Sequence, residues 1–415
     1  MTKENKIAII GLGYVGLPLA VTFSKHYKVI GFDIDSDRVS ELNDSIDSNG
    51  DIIFEINDNI KFTDNEKHLV LTNTYIIAVP TPVTSKNIPD LSILKSATNI
   101  VATYLNKGDI VIYESTVYPG VTEEICVPIL EKVSGIKYNT DFYCGYSPER
   151  ISPGAAKYSL ENVVKVTSGS NDEIANEIDQ LYKKVISVGT YKAPSIKVAE
   201  ATKVVENTQR DVNIALMNEL AMMFDKMNID TSEVLDAANT KWNFLNFKPG
   251  LVGGHCIGVD PYYLLHKSEK SGYKPNLLYS SRQINNNVAG FIVDKTISLM
   301  LESNKTIKAS NILILGYTFK ENCSDTRNTK VKNIVEGLAS FSCKVEIFDP
   351  YIKPFGNNNF ISIPFEGDAK YDAIIVAVAH DEFLQYSIDD FHKISNGKLV
   401  LLDIKGIYKE STWKL

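Results

Sequence analysis

The sequence has no long apolar run, no closely spaced pair of cysteines and no apolar export signal. No stretch approaches about 18 consecutive apolar residues, so we expect no transmembrane helix and no membrane partner. Its five cysteines have no Cys-x-x-Cys spacing, which argues against a disulfide framework or a zinc cage and predicts no bound metal. We expect reduced thiols and a cytoplasmic location. The cysteines are Cys126, Cys144, Cys256, Cys323 and Cys343.

The chain does contain enough globular sequence for two or three domains. Its 415 residues exceed what one hydrophobic core covers, and 44% hydrophobic with 23% charged residues is a globular composition. The formal net charge of -8 argues against nucleic acid as a partner. Any phosphate must therefore be held at a local site.

Strand and helix patterns predict an α/β section, a helical section and a second α/β section. Buried parallel strands of a doubly wound sheet are expected at Lys6–Ile10, Lys28–Phe32, Tyr75–Val79 and Asp109–Glu114. Ser195–Met227 contains neither Pro nor Gly and predicts one long helix. Strands of a second Rossmann-like sheet are expected at Asn311–Leu315, Lys344–Phe348, Ala373–Val378 and Leu399–Leu402. The expected domains are residues 1–190, 191–305 and 306–415.

A glycine motif after the first predicted strand indicates a dinucleotide site. Gly11-Leu12-Gly13-Tyr14-Val15-Gly16 permits a tight turn and close approach of backbone to a pyrophosphate at a helix N-terminus. Asp33 ends the next strand, 22 residues after Gly11, where a ribose-binding carboxylate belongs. An acid there favours NAD over NADP. Asp35 is the rival ribose ligand or a solvated turn residue, and we also assign Arg38 to the cofactor site.

Two later loops are expected beside the cofactor. Val79-Pro80-Thr81-Pro82 and Glu114-Ser115-Thr116-Val117 each follow a predicted strand, and ligands of open parallel sheets bind beyond the strands' carboxyl ends. The sequence therefore places Pro80, Thr81 and Thr116 in the cofactor site. The alternative is ordinary Pro and Thr turn chemistry.

Cys256 lies in an unusual sequence context. Three glycines crowd the thiol in the segment Lys248 to Pro261, and Asp260 follows four residues later. Glycine permits close approach of a ligand, and a thiolate is a strong nucleophile. The alternative is an inert small core residue. His255 is interpreted as a hydrogen-bonding loop residue.

The long helix carries a polar stripe. Lys203, Asn207 and Arg210 are spaced by four and three residues and share one face. The alternative is a plain line of salt bridges, with Glu200 pairing with Lys203. Substantial burial of the helix is expected from its flanking apolar residues Val204, Val205, Val212, Ala215 and Leu216.

The order of these motifs resembles the UDP-glucose/GDP-mannose dehydrogenase family over essentially the whole chain. The matching segments are Gly11 to Gly16, Glu114 to Val117, Ser147-Pro148-Glu149-Arg150, Lys203 to Asn207, Gly253 to Asp260, Gly316 to Lys320 and Asp325-Thr326-Arg327.

The resemblance implies a chemical role for each residue of the catalytic group. Cys256 resembles the nucleophile that captures an aldehyde as a thiohemiacetal and is then oxidised to a thioester. Lys203 resembles the lysine that stabilises negative charge on the sugar oxygen, with Asn207 nearby. Asp260 resembles a carboxylate beside the thiol, Glu149 an acid/base residue and Thr116 a residue that positions water.

The resemblance also implies a UDP-sugar partner and a homodimer or a higher assembly built on dimers. Substrate contacts are expected from Glu149, Arg150, Lys203, Asn207, Arg210, Phe247, Lys248, Gly250, Gly253, Phe319, Lys320 and Lys405. Arg327 resembles a residue that reaches a cofactor across the dimer. The implied reaction is the four-electron oxidation of a sugar C6 hydroxyl to a carboxylate, as in the synthesis of bacterial surface polysaccharide precursors such as those of capsule and O-antigen.

Departures from the UDP-glucose pattern point to an acetylated sugar. His255 precedes the cysteine where those enzymes commonly have Ser, and Lys405 stands where they often have Arg. The loop Lys241-Trp242-Asn243-Phe244 and Phe247-Lys248-Pro249-Gly250 most resembles that of enzymes acting on UDP-N-acetylglucosamine. Its galactosamine and mannosamine counterparts and UDP-glucose are alternatives. Different classes remain open from the residues alone: a two-electron hydroxyacid dehydrogenase, or an NAD-binding module without catalysis.

Overall fold

A computed structural model describes residues 6–48, 53–150, 160–254, 257–352, 360–362, 364–365 and 370–415. Contacts divide the chain into two compact units. The first unit comprises Met1–Glu206 and Tyr262–Tyr273, and the second comprises Asn207–Pro261 and Lys274–Leu415.

The first unit contains a six-stranded parallel sheet. Its strands are β1 (Lys6–Ile10), β2 (Lys28–Phe32), β3 (Ile60–Thr63), β4 (Thr74–Ile77), β5 (Ile110–Tyr113) and β6 (Tyr143–Tyr146). Their order β3-β2-β1-β4-β5-β6 is that of a dinucleotide-binding fold. A separate pair is β7 (Lys165–Thr167) and β8 (Thr190–Lys192).

Helices cover this sheet and bury its apolar strands. They are α1 (Gly16–Ser24), α2 (Ser36–Asn43), α3 (Ser92–Tyr104), α4 (Val127–Ser134) and α5 (Asp172–Lys183), with short 3-10 segments at Glu66–Leu71 and Leu160–Asn162 and a π-helical turn at Thr122–Cys126. Ile9 of β1 pairs with Gly31 on one side and with Ile76 on the other. Because such central strands are covered on both faces, their sequences are continuous apolar runs.

The helical section begins with the predicted long helix. Its helices are α6 (Ile196–Met227), α7 (Thr231–Ala238), α8 (Asp260–Lys270) and α9 (Asn276–Glu302). The long helix expected from about Ser195 to Met227 corresponds to α6, and the boundary between the units falls within it. The expected burial of its apolar residues is correct for Val204 and Ala215 and wrong for Val205 and Leu216, which are about half exposed.

The second unit contains a five-stranded parallel sheet in the order β10-β9-β11-β12-β13. The strands are β9 (Asn311–Leu315), β10 (Lys344–Phe348), β11 (Ala373–Val376), β12 (Leu401–Asp403) and β13 (Trp413–Lys414). Its other elements are α10 (Val331–Ser340), α11 (Ile388–Ile394) and a 3-10 segment at Asp381–Gln385. The predicted α/β fold class is confirmed. Within the described ranges, no helix is long and apolar enough to cross a bilayer.

Candidate active site

The glycine motif forms the turn from β1 into α1. Gly11 has a φ of +91°, in the left-handed region that favours glycine. A Cβ on Gly16 would lie 1.7 Å from the Gly11 carbonyl oxygen, whereas one on Gly13 would meet nothing within 4 Å among the described atoms. Val15 caps α1 without a side-chain hydrogen bond in the described structure, so the helix N-terminus suits an anion. These features fit a bound pyrophosphate.

Asp33 is held beside this turn, directly after β2. Its Oδ2 accepts a hydrogen bond from the Leu12 amide at 2.7 Å, and its Oδ1 accepts one from the Asp35 amide at 3.1 Å. Asp35, the rival ribose ligand, instead caps α2 by accepting from the amides of Asp37 and Arg38. The geometry therefore favours Asp33 as the carboxylate available to a ribose.

Arg38 packs against the same turn. Its Nε donates to the Leu12 carbonyl at 3.2 Å, and its Nη2 lies 2.7 Å from Oδ1 of Asp47. The side chain is 10% exposed, so Arg38 is a mostly buried residue that supports the glycine turn through the Leu12 carbonyl.

The loops after β4 and β5 lie together at the carboxyl edge of the sheet. The Thr81 hydroxyl donates to the Thr116 carbonyl at 2.6 Å, and the Ser115 hydroxyl donates to the Val79 carbonyl at 2.7 Å. Pro80 between them is exposed. The predicted strand Tyr75–Val79 ends early, at Ile77, because the chain leaves the sheet to form these contacts.

Lys203 and Glu149 form a buried pair in the first unit. Lys203 Nζ lies 3.0 Å from Glu149 Oε2, and each side chain is 6% exposed. The second carboxylate oxygen, Glu149 Oε1, is buried and has no hydrogen-bond partner among the described residues. A buried acceptor of this kind requires a donor, which a substrate hydroxyl or a water can supply.

Glu200 does not pair with Lys203, so that alternative is wrong. Its carboxylate accepts hydrogen bonds from the amides of Gly120 at 2.5 Å and Thr122 at 2.9 Å. Burial raises the pKa of Glu200 to about 7, although these amides oppose the shift. Glu200 thus ties α6 to the loop that follows Thr116.

Arg150 is held by two acceptors in the first unit. Its Nη2 and Nε lie 2.5 and 3.3 Å from the two carboxylate oxygens of Glu206, and its Nη1 donates to the Val164 carbonyl at 2.7 Å. With these contacts the Arg150 side chain is 27% exposed.

In the second unit, Asn207 contacts Asp260. Asn207 Nδ2 donates to Asp260 Oδ2 at 2.5 Å, and Asp260 is 2% exposed at the start of α8. Arg210, the third residue of the predicted stripe, is exposed. Cys256 and His255 lie outside the described residues.

A cavity of about 280 Å³ in the second unit is lined by several predicted substrate residues. Lys248, Gly250 and Lys405 border it together with Glu321, whose Oε1 lies 2.9 Å from Lys405 Nζ. A Cβ on Gly250 would lie 3.7 Å from that ammonium. The cavity therefore combines two cations and a carboxylate with a close backbone approach.

Asn218 fixes the backbone of Gly250, which lines this cavity. It accepts from the Gly250 amide at 2.8 Å and donates to the Gly250 carbonyl at 3.1 Å. Sequence reasoning missed Asn218 and Glu321: Asn218 is a polar residue within the long helix α6, and Glu321 lies in a turn directly after Lys320. Half-buried Phe247 lies in the segment leading to Gly250.

Phe319 packs on the glycines that precede the cysteine. A Cβ on Gly254 would lie 2.8 Å from the Phe319 ring, and one on Gly253 would lie 2.9 Å from the Asn328 carbonyl oxygen. Lys320 Nζ lies 5.7 Å from the centre of the Phe319 ring. Arg327 is more than half exposed and forms a forked pair with Asp325.

Comparison with known proteins matches family models to most of the chain. They are the NAD binding, central and UDP binding domains of the UDP-glucose/GDP-mannose dehydrogenase family, and they match residues 5–186, 197–287 and 313–410. The chain belongs to this family. As a member it is an NAD-dependent UDP-sugar dehydrogenase, so the predicted family, cofactor and enzyme class are confirmed.

Relatives and solved structures of the dehydrogenase family match the chain from end to end. The UDP-N-acetyl-D-glucosamine 6-dehydrogenase of Salmonella typhi is 52% identical over 97% of this chain and 96% of its own. The enzyme of that name from Pseudomonas aeruginosa is 49% identical over 98% of both. The structure of UDP-D-ManNAc dehydrogenase from Pyrococcus horikoshii is 31% identical, with a TM-score of 0.89 over 99% of this chain and 98% of that one.

Proposed function

We propose that this dehydrogenase oxidises the C6 hydroxyl of UDP-N-acetylglucosamine to a carboxylate, as a step toward a surface polysaccharide precursor. The observation that carries the proposal is the identity of 52% and 49%, over nearly whole chains, to two dehydrogenases named for this sugar. Relatives named for UDP-N-acetyl-D-mannosamine are 31 to 33% identical. We place the enzyme in the cytoplasm, where the described free cysteines remain reduced.

The proposed reaction removes four electrons in two steps. The C6 alcohol loses a proton and a hydride, which reduces one NAD and leaves an aldehyde. The Cys256 thiolate adds to the aldehyde carbon, and a second hydride reduces a second NAD to leave a thioester. Water cleaves the thioester to the carboxylate and regenerates the thiol.

Five other residues are proposed to assist at the reacting carbon. The Lys203 ammonium stabilises negative charge on the sugar oxygen, and Asn207 and Asp260 act beside the thiol. Glu149 and Thr116 handle the proton and the water. Support comes from the burial of Lys203 with Glu149, from the unpaired Glu149 Oε1 and from the contact between Asn207 and Asp260.

The remaining proposed sites bind the two nucleotides. The turn Gly11–Gly16 with Tyr14 and Val15, Asp33, Arg38, Pro80 and Thr81 hold NAD, and the cavity beside Lys405 holds part of the UDP-sugar. The proposed substrate contacts are Arg150, Arg210, Phe247, Lys248, Gly250, Gly253, Phe319, Lys320 and Lys405. The proposed domains are residues 1–190, 191–305 and 306–415, and the ranges of the family models support them.

We also propose a homodimer formed through α6, in which Arg327 reaches the partner's cofactor. Leu216, Met223 and Met227 are spaced by seven and four residues and therefore share a face. They are 49, 41 and 54% exposed. An apolar stripe of this length favours burial against a second copy.

The substrate proposal is tested by the yield of NADH and by a panel of sugars. We expect two NADH per sugar, with kcat/KM for UDP-glucose about tenfold to a thousandfold below that for UDP-N-acetylglucosamine, because a pocket built for an acetamido group leaves polar groups unpaired around a hydroxyl. The galactosamine epimer is expected second and the mannosamine epimer behind it. UDP-glucose equalling or exceeding every acetylated sugar would overturn the substrate, and one NADH per sugar would overturn the four-electron reaction.

A further inference from the structure

Tyr263 anchors the loop after β4 from within α8. Its side chain is fully buried, and its hydroxyl donates to the Thr81 carbonyl at 2.5 Å and lies 3.4 Å from the Pro82 carbonyl oxygen. The ring also lies 6.3 Å from that of Tyr118, in the chain that follows β5. One buried hydroxyl therefore contacts two successive carbonyls of a single loop.

The anchored loop is in turn joined to the loop after β5. Thr81 uses its hydroxyl to bind the Thr116 carbonyl at 2.6 Å, and Ser115 binds the Val79 carbonyl at 2.7 Å. Because Thr81 receives the Tyr263 hydroxyl at its own carbonyl, the three contacts form one connected set. Loss of the hydrogen bond from Tyr263 would therefore increase the mobility of both loops.

These two loops lie on one side of the central strand β1, and Asp33 lies on the other. In the order β3-β2-β1-β4-β5-β6, Asp33 follows β2 while the joined loops follow β4 and β5. A dinucleotide lies across the carboxyl ends of such a sheet, with its adenosine ribose at the acid after β2. The joined loops consequently face the opposite half, which carries the nicotinamide.

We propose that Tyr263 is a positioning residue that holds the loops against the nicotinamide half of NAD. Hydride transfer demands close alignment of donor and acceptor carbons, and misplacement by about 1 Å costs on the order of a hundredfold in rate. Tyr263 lies one turn beyond Asp260 in α8. The same helix thus carries a proposed catalytic carboxylate and the anchor of the cofactor loops.

The variant Tyr263→Phe removes the hydroxyl and keeps the ring. On the full-length protein without sugar, we expect the Kd for NAD to rise about threefold to tenfold, since two carbonyls lose a buried donor. The Kd for ADP-ribose, which lacks the nicotinamide, should stay within about twofold, because Asp33 and the glycine turn are unchanged. With sugar present, kcat should fall about tenfold or more, and KM for the sugar should change little.

Tyr75→Phe is the matched control. Tyr75 is also fully buried in the first unit, and its hydroxyl donates to the carbonyls of Tyr104 at 3.1 Å and Leu69 at 3.3 Å. It should lower the melting temperature and leave both Kd values unchanged. An equal loss of NAD and ADP-ribose binding in Tyr263→Phe, the same loss in Tyr75→Phe, or an unchanged kcat would each overturn the positioning role. Because binding is measured without sugar, the two Kd values do not depend on which UDP-sugar the enzyme oxidises.

Discussion

Lys203 Nζ lies 3.0 Å from Oε2 of Glu149, 54 residues earlier in the chain, and both side chains are almost completely buried. Each charge is compensated by the other, while Glu149 Oε1 has no partner in the described structure. The pair therefore supports the fold and also presents an acceptor that a substrate hydroxyl or a water can use.

Removing Lys203 alone should destabilise the protein strongly. We expect Lys203→Met to lower the free energy of unfolding by about 3 to 5 kcal/mol, since it leaves a buried carboxylate uncompensated. The double variant Lys203→Met/Glu149→Gln should recover much of this loss and remain inactive. The exposed pair of Lys332 and Glu336 is the control: Lys332→Met should cost less than about 1 kcal/mol. Urea unfolding measures these variants and the single variant Glu149→Gln, and a loss in the double variant equal to the sum of the two single losses would refute the coupling.

Replacing Cys256 by Ser should abolish acid formation and preserve NAD binding, because the glycine turn binds the pyrophosphate through backbone groups. Buried Cys343, whose Sγ lies 3.6 Å from the Ile307 carbonyl oxygen, supplies the control variant Cys343→Ser, which should remain active. Steady turnover near the parental rate in Cys256→Ser would eliminate the covalent route. NADH formation and NAD titration give the two readouts.

Cofactor choice should follow Asp33. The parent should have a higher kcat/KM with NAD than with NADP. Asp33→Ala should reduce the ratio of these two values, because it removes the repulsion of a 2'-phosphate. Asp35→Ala removes the cap of α2 instead, so it should cost about 1 kcal/mol of stability and leave the NAD to NADP ratio unchanged. The measurement is kcat/KM for each cofactor. Equal use of both by the parent would show that the ribose assignment is wrong.

Glu200 should make stability fall as the pH rises toward neutrality. Burial raises its pKa from 4.5 to about 7, so the folded state favours the protonated acid. The resulting stabilisation is complete below the ordinary pKa and is lost as the pH rises through about 7. It amounts to about 3 kcal/mol, since each pKa unit is worth about 1.4 kcal/mol.

Glu200→Gln cannot ionise and isolates this contribution. The changed hydrogen bonds to Gly120 and Thr122 shift the variant's free energy of unfolding by the same amount at every pH. Between pH 5 and 8, however, this free energy should change less in the variant than in the parent. Unfolding by urea at several pH values measures the difference. Parallel curves for the two proteins would contradict the raised pKa.

A charge on the exposed stripe of α6 should break the proposed dimer. Leu216→Lys places an ammonium where the stripe would be buried, and we expect a monomeric mass at micromolar protein concentration. Leu384, 63% exposed in a 3-10 segment, provides the control Leu384→Lys, which should keep the parental mass. Sedimentation velocity reports both. A fully active parent that is already monomeric at this concentration would disprove the dimer.

Strands and turns of the sheets were predictable because their signals are local. Lys6–Ile10, Lys28–Phe32, Asn311–Leu315 and Lys344–Phe348 have the predicted bounds. A strand covered on both faces is mostly apolar, and each of these runs begins at a polar residue and is followed by glycine or aspartate. Exposure along α6 was less predictable, because a helical pattern shows which residues share a face and not what covers that face.

The sequence alone determined the dinucleotide fold, since a turn that brings Gly16 against Gly11 admits no side chain and the acid after β2 has a set distance from it. Only the tertiary structure decided which carboxylate meets Lys203. Glu200 is three residues away on the same helix, yet its carboxylate binds the amides of Gly120 and Thr122, and Glu149 after β6 occupies the place beside the ammonium. Helical spacing brings two side chains within reach of each other. Which of them pair depends on the buried donors and acceptors that distant segments bring to the same place.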